Sequence, residues 1–312
     1  MKGDIMMKSV FYLCVVLVIV TMAGCTTNRV EYALASTTEA GVFYPVKKPN
    51  SSAEVAVQIQ EKLKPSTDDQ NIGQKVAIDY TKYALVIGIQ DYKQQASVNY
   101  ADNSARLFAS TLKNVLGVPE EHILFLENEN ATSGQIKTNI MTLKELADSG
   151  DSLYFFFAGH GVPGRDGNTY LLPSDMGADS IHLEPQLNLD QVYSTLSSSN
   201  AKRVYAFVDS CFSGKNDEGQ LVYRGVAPIF KKKDRQFSSK KLSVMTAGSS
   251  TEFANQYEKE KQRLFSYFLV KGLTKQKDNI SELYSYVRRN VKRESLRIGL
   301  GYKQVPTLQM AN

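Results

Sequence analysis

Short apolar runs without polar alternation set the architecture of this 312-residue chain. Tyr83 to Ile89 (YALVIGI), Ile123 to Leu126 (ILFL), Leu153 to Ala158 (LYFFFA), Val204 to Val208 (VYAFV) and Ser243 to Ala247 (SVMTA) read as strands. LYFFFA has no polar face at all, so both of its sides must be covered. Between these runs the apolar period changes to that of helices. Ala105, Phe108, Ala109, Leu112 and Leu116 share one face, and Gly117 and Pro119 end that helix. Ile136, Ile140, Leu143 and Ala147 mark a second helix that stops near Gly150, and Leu189, Val192 and Leu196 mark a third. Arg263 to Leu273 and Ser281 to Arg297 read as helices, and Gln304 to Leu308 as a last strand. Strand–helix alternation of this kind gives an α/β fold with a mostly parallel sheet of about six strands, helices on both faces.

The N-terminus has a different character. Lys2 and Lys8 flank Asp4, Val10 to Val20 is an apolar run of eleven residues, and Met22-Ala23-Gly24-Cys25 follows. Such a run with small residues behind it is a secretory signal. Its end resembles the bacterial lipobox, with Met22 where that motif prefers Leu. The resemblance implies a lipoprotein signal peptide at 1–24, a lipidated Cys25 and a membrane-anchored protein. The alternative is an uncleaved anchor helix, because Ser9 to Asn28 is uncharged and just long enough to span. Residues 25–75 are polar and turn-rich and read as a tether; Val55, Ile59 and Leu63 fit a helix face, while Val55, Val57 and Ile59 fit a strand. Thr26 after the Cys implies an envelope lipoprotein of the outer membrane, facing the periplasm. Residues 76–312 form the folded domain.

Charge and cysteine usage exclude several classes. The net charge of +5 is local. Residues 231–241 carry six basic residues and one acid, and 281–297 carry five basic and two acidic residues. No aromatic interleaving accompanies them, so nucleic acid is not an expected partner. Three Cys and three His without C-x-x-C or H-x-x-x-H spacing do not make a zinc cluster, so no metal site is expected. Gly159, Gly161 and Gly164 spell G-x-G-x-x-G, but Pro163 and the following RDGN continue a turn where a dinucleotide fold needs a helix. A nucleotide-binding α/β protein is thereby set aside.

The chemistry gathers at two strand ends. LYFFFA runs into Gly159-His160-Gly161, and VYAFV runs into Asp209-Ser210-Cys211. Ligands of parallel sheets bind at the carboxyl ends of strands. If the two strands are neighbours, His160 and Cys211 meet at one edge, where an imidazole can ionise a thiol and later protonate a leaving amine. Gly turns leave backbone N–H groups for an oxyanion. With Cys25 lipidated, Cys211 is the only thiol of the processed chain. His122 precedes ILFL in an acidic stretch and His182 lies in a loop.

At these residues the chain resembles the bacterial branch of the caspase-like cysteine peptidases, close to metacaspases. The segments are YALVIGIQDY, NYADNSARLFASTL, LGVPEEHILFL, YFFFAGHG, YLLPSD, KRVYAFVDSCFSG, LFSYFLVKGL and QVPTLQ, in family order over about residues 80–310. The resemblance implies a caspase-like α/β/α sandwich and a cysteine endopeptidase acting on protein or peptide substrates. It makes His160 the general base, Cys211 the nucleophile, and the Gly161 and Cys211 N–H groups the oxyanion hole, with no third triad carboxylate. It also implies cleavage after Arg or Lys through an acidic S1 pocket. Asp209 holds one of those positions; Ser104 stands where the family has Asp, Asp102 lies two residues away, and Ala158 replaces a family Ser. The segment 214–241 lies where relatives carry a loop cut on activation, and its basic residues suit self-cleavage. Some relatives need calcium; no EF-hand loop is present here, so the sequence shows no cofactor and calcium stays open. The competing reading is a caspase-fold binding or scaffold lipoprotein with little turnover.

Overall fold

The computed structural model describes residues 76–164, 166–211, 239–248, 252, 254–275 and 279–311. The expected signal peptide, Cys25 and the tether lie outside these residues, as do the proposed cleavage loop up to residue 238 and the basic residues 231–235.

The elements in chain order are β1 (Lys82–Gly88), α1 (Ala101–Asn114), β2 (Ile123–Glu127), α2 (Ser133–Leu146), β3 (Ser152–Ala158), β4 (Gly161–Pro163), β5 (Thr169–Leu171), α3 (Leu189–Ser197), β6 (Arg203–Asp209), β7 (Leu242–Thr246), β8 (Gln256–Tyr257), β9 (Gln262–Arg263), α4 (Leu264–Thr274), α5 (Ile280–Ile298) and β10 (Thr307–Met310). Short 3-10 turns link several of them. Six strands form one sheet in the order β10-β7-β6-β3-β1-β2, with β10 antiparallel to β7 and every other pair parallel. The crossover helices required by parallel neighbours cover both faces.

Strand periodicity divides the core. Leu85, Ile87, Phe155, Phe157, Val204, Ala206 and Val208 face one layer, where Ile136, Ile140 and Leu143 of α2 and Val192 and Leu196 of α3 pack. Ala84, Val86, Tyr154, Phe156, Phe207 and Met245 face the other, against Ala105, Phe108 and Leu112 of α1, α4, and Leu283, Val287 and Val291 of α5. LYFFFA is thus buried on both sides, as its lack of alternation required. The result is the three-layer α/β/α sandwich expected from the sequence.

Helix ends follow local chemistry. Thr132, Asn188 and Asn279 cap α2, α3 and α5 by accepting from Gln135, Asp190 and Ser281 N–H groups. Helix α1 ends at Asn114, ahead of Gly117, whose φ of 70° suits glycine. The last strand begins at Thr307, three residues later than the apolar pattern suggests. The reason is Gln304, fully buried and used as a clamp: its N–H donates to Ser295 Oγ and its Oε1 accepts from Asn255 N–H.

Candidate active site

Strands β3 and β6 are direct parallel neighbours, with Ala158 opposite Asp209. His160 and Cys211 each follow two residues later, so the register delivers them to the same sheet edge at equal offset. Adjacent strands lie about 4.8 Å apart. The two turns are also stitched together: Gly159 N–H donates to Asp209 O at 3.3 Å, and Ser210 Oγ–H donates to Gly159 O at 2.7 Å. His160 and Cys211 are both buried, at 4% and 8% exposure.

The ring of His160 is oriented from the β1–α1 connection. His160 Nε2 lies 2.8 Å from Ala96 O. A carbonyl only accepts, so Nε2 carries the hydrogen and the neutral ring keeps its lone pair on Nδ1. The His160 backbone N–H donates to Tyr92 Oη at 2.8 Å, and the two rings sit 4.8 Å apart. Burial raises the Tyr92 phenol far above the ordinary tyrosine value, against smaller lowering effects of the His160 N–H and Arg263, so it stays protonated. Neither Ala96 nor Tyr92 was singled out from sequence. A carbonyl acceptor has no residue signature, and Tyr92 appears in sequence only as the end of YALVIGIQDY.

Gly161 opens β4. Leu172 N–H bonds His160 O and Gly164 N–H bonds Asn168 O, which makes Gly161–Leu171 and Pro163–Thr169 non-hydrogen-bonded pairs of the β4–β5 hairpin. The Gly161 N–H therefore points away from β5, and Pro163 costs the ladder no bond. Cys211 Sγ accepts the Ala254 N–H at 2.7 Å and lies 3.8 Å from Ala254 O.

The acidic-pocket candidates Asp209, Ser104 and Asp102 each bond within the protein. Asp209 is fully buried; its Oδ2 accepts from Ser266 N at 3.0 Å and Ser266 Oγ at 2.6 Å. Helix α4 has no side-chain cap of its own, so Asp209 supplies the acceptor at its N-terminus. Its Oδ1 lies 4.0 Å from Arg263 Nε. Ser104 Oγ accepts the Arg263 backbone N–H at 2.9 Å and donates to Gln262 Oε1 at 2.9 Å. Asp102 turns to Arg106, Oδ2 to Nη2 at 2.9 Å, in a network that includes Glu127. Arg263, read from sequence as the first residue of a helix, ends β9 just ahead of α4; it is 1% exposed and meets Asp209 and Ser104 together. Among the described residues no group of three or more His, Cys, Asp or Glu is arranged to hold a metal ion, and no helix is long and apolar enough to cross a membrane.

The sequence profile of the caspase domain family, peptidase C14, matches residues 81–312. The chain belongs to the caspase domain family. Metacaspase-1A of Aspergillus oryzae is 27% identical over 157 residues, which cover 46% of this chain and 37% of that relative. Among solved structures, a Geobacter sulfurreducens protein matches at a TM-score of 0.53 and 16% identity, over 74% of this chain and 93% of its own. Caspase-1 from Spodoptera frugiperda matches at 0.50 and 17%, over 78% and 91%. These two likenesses carry the fold, a caspase-type α/β/α sandwich. Within the caspase domain the β3 and β6 ends are the site under consideration.

Proposed function

We propose that this caspase-domain chain is a cysteine endopeptidase that uses His160 and Cys211 to hydrolyse peptide bonds. The observation that carries the reading is the shared offset of the two residues on paired strands, with His160 held in the tautomer that leaves Nδ1 as the base. In this scheme Nδ1 takes the Cys211 Sγ proton and the sulfur attacks the peptide carbonyl carbon. The Gly161 and Cys211 N–H groups hold the oxyanion. The imidazolium protonates the leaving amine, and water activated by the same ring releases the acyl group as a carboxylic acid. The scheme uses no cofactor, and calcium enters only as a variable of the assay below. The test is labelling of the processed chain by a thiol-reactive peptide warhead: one adduct on Cys211, lost in Cys211→Ala and much reduced in His160→Ala. A folded wild type that takes no label sinks the proposal.

Cleavage after basic residues is a narrower claim. It draws on Asp209, whose carboxylate is held by Ser266 and faces Arg263. A basic P1 side chain has to compete with that guanidinium, so we expect preference for Arg over a neutral residue of no more than about tenfold in kcat/KM, ~1.4 kcal/mol. A fluorogenic library varied at P1, run with and without calcium, measures it. The second reading, a binding or scaffold protein, is favoured by this same commitment of Asp209, Ser104 and Asp102 to internal partners. The labelling experiment separates the two.

For location we propose a lipid anchor at Cys25 in the bacterial envelope, supported by the lipobox-like Met22-Ala23-Gly24-Cys25. Incorporation of labelled palmitate, lost in Cys25→Ser, is the expected result.

A further inference from the structure

Arg263 heads the fully buried side chains of the described residues in size, at 1% exposure. Burying a guanidinium costs several kcal/mol unless its donors and charge are matched. Three of the matching groups belong to segments that handle the two reactive residues. Nη2 donates to Ala254 O, and the Ala254 N–H donates to Cys211 Sγ at 2.7 Å. Nη1 donates to Asn99 O at 3.3 Å, three residues beyond the Ala96 carbonyl that orients His160. Nε lies 4.0 Å from Oδ1 of Asp209, two residues before Cys211.

Two physical consequences follow. Holding the Ala254 carbonyl fixes residue 254, whose N–H points at the sulfur. An N–H donor favours a thiolate over a thiol. Among the described residues, charged or titratable groups at this corner include His160, Tyr92, Asp209 and Arg263. Asp209 opposes ionisation of Cys211 by like charge, and Arg263 stands beside it with the offsetting charge.

We propose that Arg263 is a positioning residue for Cys211, pinning the Ala254 N–H on the sulfur and offsetting Asp209 so that the ionised sulfur is favoured. Its effect on turnover rests on the peptidase reading; its effect on the thiol does not.

The test is the pH dependence of Cys211 carboxamidomethylation by iodoacetamide in the processed chain, followed by mass spectrometry. The wild-type midpoint is expected below the ordinary thiol value of about 8.5. Arg263→Met and Arg263→Gln should each raise it by about one pH unit, and Arg263→Lys should restore much of the shift, with circular dichroism reporting folding. A wild-type midpoint at or above the ordinary value overturns the proposal without any variant. So does a folded neutral variant that titrates like wild type, or a Lys variant that shifts as far as the neutral ones. Peptide turnover is read in parallel: shifted midpoints without turnover in wild type end the peptidase reading alone, and turnover with unmoved midpoints ends the Arg263 proposal alone.

Discussion

At Gly159 the space beside the backbone is already taken. A Cβ there would meet Tyr92 Oη at 2.5 Å and Phe157 Cζ at 3.0 Å. Tyr92 cannot yield freely, because its hydroxyl accepts the His160 N–H. Gly159→Ala is therefore expected to cost about 1–3 kcal/mol of stability and to lower peptide turnover by displacing the residue next to His160. Urea unfolding and kcat/KM on one peptide check both; a variant with wild-type values on each contradicts the packing argument. Asp209 carries a different load. It accepts two bonds from Ser266 at the start of α4, which has no cap of its own, and it faces a buried guanidinium. Asp209→Ala leaves that guanidinium buried with less compensation, and a loss of about 3 kcal/mol or more is expected. A loss below about 1 kcal/mol in urea unfolding would show that Arg263 finds its compensation elsewhere.

The β4–β5 hairpin is the element that presents Gly161, and it is tied at its tip by Asp166. Burial opposes ionisation of the Asp166 carboxyl, but bonds from Tyr170 and Asn168 outweigh it and hold the group below its ordinary 3.8. Tyr170 Oη donates to Asp166 Oδ2 at 2.5 Å. Burial first, and then Asp166, push the Tyr170 phenol up to about 12. A carboxyl lowered by folding stabilises the fold above its unfolded value and loses that contribution as pH falls through the folded one. The hairpin should therefore weaken below pH 3.8. In Tyr170→Phe part of this dependence is gone, so wild-type and variant stabilities should converge as the pH drops. Amide exchange at Val162 and Tyr170 between pH 3 and 5 reads this; parallel curves across the range contradict it. Elements of this kind were also where the sequence spoke least. YALVIGI, LYFFFA and VYAFV announce buried strands because only a covered parallel sheet accommodates such runs. The hairpin is three residues a side with Pro163 inside it, and appears in sequence only as turn. Asp209 and Ser266 are 57 positions apart, and that kind of pairing leaves no local pattern. The role of Arg263 was hidden for the same reason: in KQRLF it reads as a basic residue at a helix start, and among the groups it meets are Ala254, Asn99 and Asp209 from three other segments.

On the scale of the whole molecule, one sheet edge gathers the reactive residues and their partners. The order β7-β6-β3-β1 puts β3 and β6 at its middle, and their matched register sends His160 and Cys211 to one side. The β1–α1 connection adds Ala96 and Tyr92, and β9 adds Arg263. The position of the pair at two strand ends was legible from GHG and DSC after apolar runs; that the strands are neighbours, the carbonyl that orients the imidazole and the cation beside the sulfur required the fold. The most direct test of the account is turnover of a peptide library by the processed chain and its Cys211→Ala and His160→Ala variants. The account predicts measurable cleavage in wild type and a fall of about a thousandfold or more in each folded variant. Cleavage that survives in Cys211→Ala would contradict it.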